Sequence, residues 1–274
     1  MSLSNISDFP LELLSCLKRI RELHPVVQCI TNIVTVNDCA NVLLAAGASP
    51  TMAHHPEEMQ EFAVLSDALV LNMGATENLE AMLSAGRCAS ELGHPVVIDP
   101  VGCAGSSFRR AHCLSLIREV KPSCIRGNAA EIHALSDNLN TGRGVDDPTF
   151  FGEKAEAAAA SAAHAMRLSS ETGAIVIASG PVDYIADGSH TQTVARGSTW
   201  MSRITGSGCM LSSLLGAFLA EEKTAESAKA CCLLWALCAE KAEALTKEKK
   251  RGTGSFHIAL LDVLSLLSDE AVLI

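Results

Sequence analysis

A run of small residues leads directly into an apolar helix in the segment TGSGCMLSSLLGAF, which spans Thr205 to Phe218. The first turn of a helix presents backbone N–H groups that have no partner within the helix, together with a partial positive charge, and both attract anions. The segment therefore indicates a phosphate-binding site. The simpler alternative is that Gly206 and Gly208 only permit a tight loop before the helix.

Acidic and basic residues follow apolar runs elsewhere in the chain, with Asp99 in IDPVG and with Arg126 and Glu131 in IRGNAAEI. Mg²⁺ prefers carboxylate oxygens and usually shares its coordination with water and the phosphates of a nucleotide. Asp99 and Glu131 are therefore candidate magnesium ligands. Each also has a simpler interpretation, Asp99 as a turn residue before proline and Glu131 as an acid in the first turn of a helix.

The elements that must position these residues alternate regularly along the chain. Short apolar runs, each ending in a turn that bears Gly, Asp or Asn, alternate with amphipathic helices, which predicts a doubly wound α/β sheet covered by helices on both faces. Ligands of such a sheet bind beyond the carboxyl ends of its strands. Five of these ends carry polar or small residues: Thr31-Asn32, Asn72-Met73-Gly74, Asp99-Pro100, Arg126-Gly127-Asn128 and Ser179-Gly180.

Several segments depart from simple alternation. We predict a loop for SPTMAHHPEEM, which begins at Pro50, and a flexible loop for residues 137–152. The runs AIVIASG, VDYIAD and TQTVARG predict an antiparallel edge to the sheet. Three helices are predicted to end the chain, from about Ser207 to Ala220, from Ala225 to about Lys247 and from Ser255 to Leu267. Residues 1–274 are interpreted as one domain.

Composition and charge exclude several classes of protein. Apolar residues make up 48% of the chain and aromatic residues only 4%, which suits a core of aliphatic strands and helices. A net charge of −10 disfavours nucleic acid as a partner. We predict no membrane span and no secretory signal, and the eleven cysteines lie mostly inside predicted elements, so reduced thiols in the cytoplasm are expected. Neither G-x-x-x-x-G-K-[ST] nor a G-x-G-x-x-G after a strand occurs.

The motifs together resemble the hydroxyethylthiazole kinase family of the ribokinase-like fold. The resemblance runs from VQCITNIVTVNDCANVLLAAGASPTM through LNMGA, VVIDPVGCAGS and IRGNAAEI to ASGPVDYIADG and TGSGCMLSSLLGAF. It implies a three-layer α/β/α fold with a mostly parallel sheet, antiparallel edge strands and no separate lid. It also implies ATP- and Mg²⁺-dependent phosphorylation of the hydroxyl of 4-methyl-5-(2-hydroxyethyl)thiazole in thiamine salvage, by a homotrimer whose thiazole site is shared between subunits.

Roles for single residues follow from the same resemblance. Cys209 corresponds to the position at which most ribokinase-like enzymes place a catalytic aspartate. The family more often has threonine at Ser179 and G-T-G-C in place of G-S-G-C, but both differences keep a hydroxyl. The other implied roles are thiazole binding for Asn32, Met52, Gly74 and Gly206, ATP binding for Arg126, Ser179, Gly206 and Gly208, and magnesium association for Asp99 and Glu131.

The position of Cys209 near a helix N-terminus predicts a lowered thiol pKa and partial thiolate character. As an acceptor of the substrate proton, the residue would contribute about 10²–10⁴-fold to turnover.

Three rival hypotheses stay open at this stage. In the first, the chain is a kinase of the same fold that acts on another alcohol, such as a hydroxymethylpyrimidine or a sugar. A thiol enzyme would use Cys209 as a covalent nucleophile with a histidine base, for which His133, His54 and His55 are the candidates. A thiazole or thiamine sensor would keep the pocket without catalysing transfer.

Overall fold

Eight strands form one twisted sheet in the computed structural model, which describes residues 9–141 and 154–271. The strands are β1 Val26–Ile30, β2 Ser49–Thr51, β3 Ala68–Asn72, β4 Val96–Asp99, β5 Cys124–Asn128, β6 Ile175–Ser179, β7 Asp183–Asp187 and β8 His190–Val194. Their order is β2-β1-β3-β4-β5-β6-β7-β8. The first six strands are parallel, and β7 and β8 add an antiparallel hairpin at one edge. The predicted mostly parallel sheet with an antiparallel edge is confirmed.

Helices cover both faces of the sheet and give the predicted three layers. The helices are α1 Leu11–Leu23, α2 Val36–Ala46, α3 Met59–Leu65, α4 Leu79–Glu91, α5 Ser107–Val120, α6 Ala129–Thr141, α7 Lys154–Thr172, α8 Ser207–Glu221, α9 Ala225–Glu248 and α10 Thr253–Ala271. One apolar core lies under α1, α2, α8, α9 and α10, and the other lies under α3 to α7. Val70 of β3 belongs to the first core and its neighbours Leu69 and Leu71 to the second, which explains why the strand is apolar up to its last residue.

The structure corrects the sequence prediction in two places. Residues Ser49–Thr51 form an edge strand rather than part of a loop, and Pro50 is tolerated there because an edge strand leaves one side of its backbone unpaired. The loop predicted from residue 137 begins later, since α6 continues to Thr141. The rest of that prediction, residues 142–153, lies outside the described part of the chain.

Helix α8 lies unusually close to the middle of the sheet because it carries a glycine at the crossing point. A side chain at Gly216 would place its Cβ 2.8 Å from Val27 Cγ1 and 2.9 Å from Val70 Cγ2. This close approach brings the first turn of α8 to the carboxyl ends of the central strands. None of the helices in the described ranges is both long and apolar enough to cross a bilayer.

Candidate active site

The start of α8 forms a backbone cradle at the carboxyl edge of the sheet. Gly206 caps the helix with φ +80°, a left-handed conformation that favours glycine, and its Cβ position would lie 2.9 Å from Thr35 Cγ2. The first hydrogen bond of the helix already involves this residue, since Met210 N donates to Gly206 O over 2.8 Å. The N–H groups of the first turn are left without intrahelical partners, so the cradle can bind an anion.

Cys209, in this first turn, is held by two amide side chains from neighbouring strands. Asn72 Nδ2 donates to Cys209 Sγ over 3.2 Å and Asn32 Nδ2 over 3.6 Å, while Asn32 Nδ2 also reaches Asn72 Oδ1 at 3.1 Å. Gly74 N donates to Asn72 Oδ1 over 2.9 Å, and a Cβ at Gly74 would lie only 2.7 Å from Asn32 Cβ. The structure thus brings together three of the predicted site residues, Asn32, Gly74 and Cys209.

The Cys209 thiol is not activated in this environment. Burial is the main cause that raises the pKa of this thiol to about 11, and the negative charge of Asp99 is the second. Hydrogen bonds with the Thr35 hydroxyl and the Asn32 amide lower the pKa, but by less. The predicted thiolate character is therefore wrong, because desolvation outweighs the effect of the helix terminus. At neutral pH the group is a protonated thiol.

Asp99 lies at the end of β4 and is 1% exposed. Its Oδ2 accepts a hydrogen bond of 2.8 Å from Ser212 Oγ, one turn after Cys209 on α8. Burial raises the pKa of this carboxyl, and the nearby Arg126 charge opposes the shift most strongly. Asp99 is therefore a buried acid at the base of the cradle, not an exposed turn residue.

Glu131 begins α6 in a reciprocal cap with Asn128. Asn128 N donates to Glu131 Oε2 over 2.9 Å and Glu131 N donates to Asn128 Oδ1 over 2.9 Å, while Gly102 N donates to Oε1 over 2.8 Å. Burial raises the pKa of this carboxyl and the charge of Asp99 raises it further. Glu131 thus does lie in the first turn of a helix, and this cap holds its carboxylate near the buried acid Asp99. Two such acids suit a hard divalent cation such as Mg²⁺.

Arg126 joins the cradle to the next strand. Its Nε donates to Ser179 Oγ over 3.0 Å, across the β5–β6 pair. Its guanidinium lies against the first turn of α8, where a Cβ at Gly208 would be 2.5 Å from an Arg126 terminal nitrogen. Arg126 therefore contacts both Ser179 and Gly208, and a side chain at 208 would displace the guanidinium from this position. Their role in ATP binding stays a prediction.

A groove of about 710 Å³ opens beside this arginine. This volume is typical of a pocket for a ligand the size of a nucleotide. Asp183 lines the groove and accepts a hydrogen bond of 2.9 Å from Gly180 N, and burial raises the pKa of its carboxyl. Trp235, on α9, also borders the groove.

Four residues of this region had no assigned role in the sequence. Asn72 was noted only as a polar residue at a strand end. Because β1 and β3 are neighbouring strands, its position between Asn32 and Gly74 could have been inferred. Ser212 lies three residues after Cys209 and so shares its helix face, which is a usable signal. The positions of Asp183 and Trp235 depend on the packing of β7 and α9 and carry no local motif.

Other predicted residues lie apart from this group. Met52 follows β2 at the sheet edge and packs against the α1–α2 core, so its role in substrate binding stays a prediction. His54 and His55 are exposed on the following loop. His133 Nε2 lies 3.0 Å from Asp137 Oδ2, on α6. Within the described ranges the side chains that hydrogen-bond Cys209 Sγ are the Asn32 and Asn72 amides and the Thr35 hydroxyl. A histidine base is not among them, so the thiol-enzyme hypothesis gains no support.

Comparisons with known proteins agree with one another. Residues 17–270 match the model of the hydroxyethylthiazole kinase family. The hydroxyethylthiazole kinase of Cereibacter sphaeroides is 42% identical over 258 residues, which cover 93% of this chain and 94% of the relative. The structure of a hydroxyethylthiazole kinase protein from Pyrococcus horikoshii OT3 superposes with a TM-score of 0.81 and 36% identity over 93% of each chain. A ribokinase-like superfamily protein from Enterococcus faecalis V583, 14% identical with a TM-score of 0.60 over 94% of each chain, shares the fold.

Proposed function

The chain belongs to the hydroxyethylthiazole kinase family, and on this premise we propose that it transfers the γ-phosphoryl group of ATP to the hydroxyl of 4-methyl-5-(2-hydroxyethyl)thiazole in thiamine salvage. One observation carries the proposal beyond the family. The group formed by Asn32, Gly74 and Cys209 meets the Arg126–Ser179 pair at the first turn of α8. An acceptor alcohol and a transferring phosphate placed there would be neighbours.

In the proposed reaction the hydroxyethyl oxygen attacks the γ-phosphorus in line, the bond from that phosphorus to the bridging oxygen of ADP breaks, and the hydroxyl proton leaves late, to an oxygen of the transferred phosphate. Arg126 and the N–H groups at Gly208 and Cys209 stabilise charge on the transferring group, since they are already oriented before reaction. Asp99 and Glu131 are the acids that we assign to Mg²⁺. When bound, this ion would neutralise part of the charge of the ATP phosphates.

Coupled measurement of ADP formation tests the reaction directly. Purified protein is incubated with ATP, Mg²⁺ and the thiazole alcohol, beside a hydroxymethylpyrimidine and ribose as controls. ADP formation that depends on the thiazole alcohol supports the proposal. Formation with another alcohol alone would keep the kinase and discard the substrate, and tight thiazole binding without ADP would favour the sensor hypothesis.

For Cys209 we propose a positioning contact with the substrate hydroxyl, made by the neutral thiol. A group with a pKa of about 11 does not titrate at neutral pH, and a loose phosphoryl-transfer transition state needs little help from a base. Serine keeps a hydrogen-bonding group but with a shorter reach, so we expect Cys209→Ser to lower kcat by about 10-fold at most, the value of one well-placed neutral hydrogen bond. This loss is below the lower end of the 10²–10⁴-fold expected of a general base.

The pH profile separates the two roles of Cys209. Wild type and Cys209→Ser are expected to have kcat profiles of the same shape between pH 6 and 9. A rising limb in this range that the variant lacks would show that the thiolate takes part, and would contradict the positioning role.

We also propose a homotrimer with the thiazole site at the subunit interface. The support lies next to Asn32, where Ile33 is 85% and Val34 is 67% exposed. Two adjacent aliphatic side chains in water beside the candidate acceptor site form a surface that a second copy would cover.

Light scattering tests the assembly, which should have three times the 28.8 kDa mass of the chain. Ile33→Asp is expected to yield smaller species, because a charge would be buried at the interface. Ile258→Asp is the matched control, since Ile258 is 65% exposed on α10 and should tolerate the charge. A monomeric wild type, or an Ile33→Asp protein that stays trimeric, would count against the interface.

Finally, we propose that the chain is a single domain and works in the cytoplasm. One sheet runs through the described residues and all eleven cysteines are free thiols, nine of them buried. Such thiols suit a reducing compartment in which ATP is available.

A further inference from the structure

A second cluster of polar side chains joins α6 to α7. His133 and Asp137 lie one turn apart on α6, and His133 Nε2 is 3.0 Å from Asp137 Oδ2. His164 of α7 faces them, with Nδ1 3.8 Å from Asp137 Oδ1 and its ring centroid 4.1 Å from that of His133. The nitrogen and oxygen atoms of the three residues that could bind a metal all lie within 4.8 Å of one another.

We propose that His133, Asp137 and His164 form a transition-metal site of the zinc class. A tetrahedral ion with bonds of about 2.0–2.1 Å holds neighbouring ligand atoms about 3.3 Å apart. The two distances to the Asp137 carboxylate, 3.0 and 3.8 Å, lie on either side of this value. Two imidazole nitrogens with one carboxylate oxygen are the donors that Zn²⁺ accepts and that Mg²⁺ does not favour.

The cluster is distinct from the candidate active site. His133 follows Glu131 by two residues, which is about 200° around the helix, so the two side chains leave α6 on opposite sides. An ion bound here would tie α6 to α7. Because the reciprocal cap of Glu131 begins α6, the ion would also stabilise the element that carries this acid.

Arg167 and Ser136 compete with the ion for atoms of this cluster. Arg167 is 3.6 Å from Asp137 Oδ1, and Ser136 Oγ is 3.4 Å from His164 Nδ1. Arg167 already has another partner in Glu171, with 3.2 Å between the charged groups, and its side chain is 39% exposed. It can therefore leave Asp137 when a cation arrives, at a cost limited to one partly exposed ion pair.

The affinity for Zn²⁺ alone is measured by competition with a chromophoric chelator, on the metal-free full chain at one fixed pH. We expect one equivalent to bind and to raise the melting temperature. His164→Gln and Asp137→Asn should each weaken binding about 100-fold or more. His190→Gln, an exposed histidine in β8, should not change it. Arg167→Gln should tighten binding about two- to fivefold, because the ion no longer has to break an ion pair.

Co²⁺ provides a spectroscopic check, since this chain has eleven thiols that could bind metal instead. Visible bands of a tetrahedral complex without an intense thiolate-to-cobalt absorption are expected. The proposal fails if wild type binds neither ion, if the cobalt spectrum shows thiolate ligands, if the two ligand variants bind as wild type does, or if Arg167→Gln weakens binding. Should one ligand variant not fold, the other and Arg167→Gln decide in the same way.

Discussion

Asp99→Asn is expected to lower kcat/KM by about 10³-fold while the protein stays folded. The carboxylate is fully buried, one oxygen is held by Ser212 Oγ at 2.8 Å, and the second buried acid Glu131 lies close enough to be affected by its charge. An amide keeps the shape but loses the charge that would attract Mg²⁺ to the transferring phosphates, a contribution of several kcal/mol. The remaining activity should need more Mg²⁺ for half-saturation.

The same substitution should not destabilise the metal-free protein. The pKa of Asp99 is raised in the folded state, so the ionised form is less favourable there than in the unfolded chain. The neutral acid therefore contributes stability that is lost as pH rises through the folded pKa. Asparagine is uncharged at every pH, so the variant does not lose this contribution. Against this gain, the amide has only one oxygen that can accept from the Ser212, Asn72 and Val101 donors, so the melting temperature of Asp99→Asn at neutral pH is expected to stay close to that of wild type.

Asp187→Asn is the matched control, because Asp187 is exposed at the turn between β7 and β8. It should leave activity, magnesium requirement and melting temperature unchanged. An Asp99→Asn enzyme with a normal magnesium titration would remove Asp99 from the metal assignment. A large drop in its melting temperature would instead indicate that the carboxylate is mainly structural.

Arg126→Gln is expected to lower kcat by about 10³-fold and Arg126→Lys by about 10²-fold. Lysine keeps the charge but lacks the planar fork, so it cannot hold Ser179 through Nε and also present nitrogens to a phosphate beside Gly208. The larger effect of glutamine corresponds to the loss of a cation at the transferring group. Steady-state kinetics with ATP varied, at saturating acceptor, separates kcat from KM.

Arg118→Lys on the exposed face of α5 serves as the control for Arg126 and should behave as wild type. Arg126 also provides the largest electrostatic effect that lowers the pKa of Asp99. Glutamine at 126 should therefore destabilise the protein at neutral pH, and much less so when Asp99 is asparagine as well. Rates of Arg126→Gln within a few-fold of wild type would exclude a role at the phosphate.

Much of the fold could be predicted because its determinants are local. Runs such as ALVL and VVI are apolar at every position, as strands covered on both faces must be, and the polar residue that follows each run, Asn72 or Asp99, marks the carboxyl edge. The edge strand Ser49–Thr51 was missed for the opposite reason. Three residues around a proline have no strand pattern, and the parallel partner β1 decides their conformation.

The candidate site shows the same difference between what local sequence determines and what tertiary contacts determine. The motifs around Asp99, Arg126, Glu131 and Gly206 to Cys209 identify residue types and strand ends, so the sequence by itself determined which groups would meet at this edge. The protonation states of these groups could not be predicted from the sequence. Cys209 is a protonated thiol because the sheet and α8 exclude water and place Asp99 nearby, against what the helix terminus alone would favour.

The tertiary structure alone decided the contacts between residues far apart in the chain. Gly208 faces the guanidinium of Arg126, Ser212 binds Asp99, and His164 comes to His133 and Asp137 only because α7 packs on α6. Sequence periodicity reports which face of an element is apolar, and therefore which side is buried. Desolvation, charge and distance at a given side chain depend on what packs against that face, and packing is settled only when the whole chain folds.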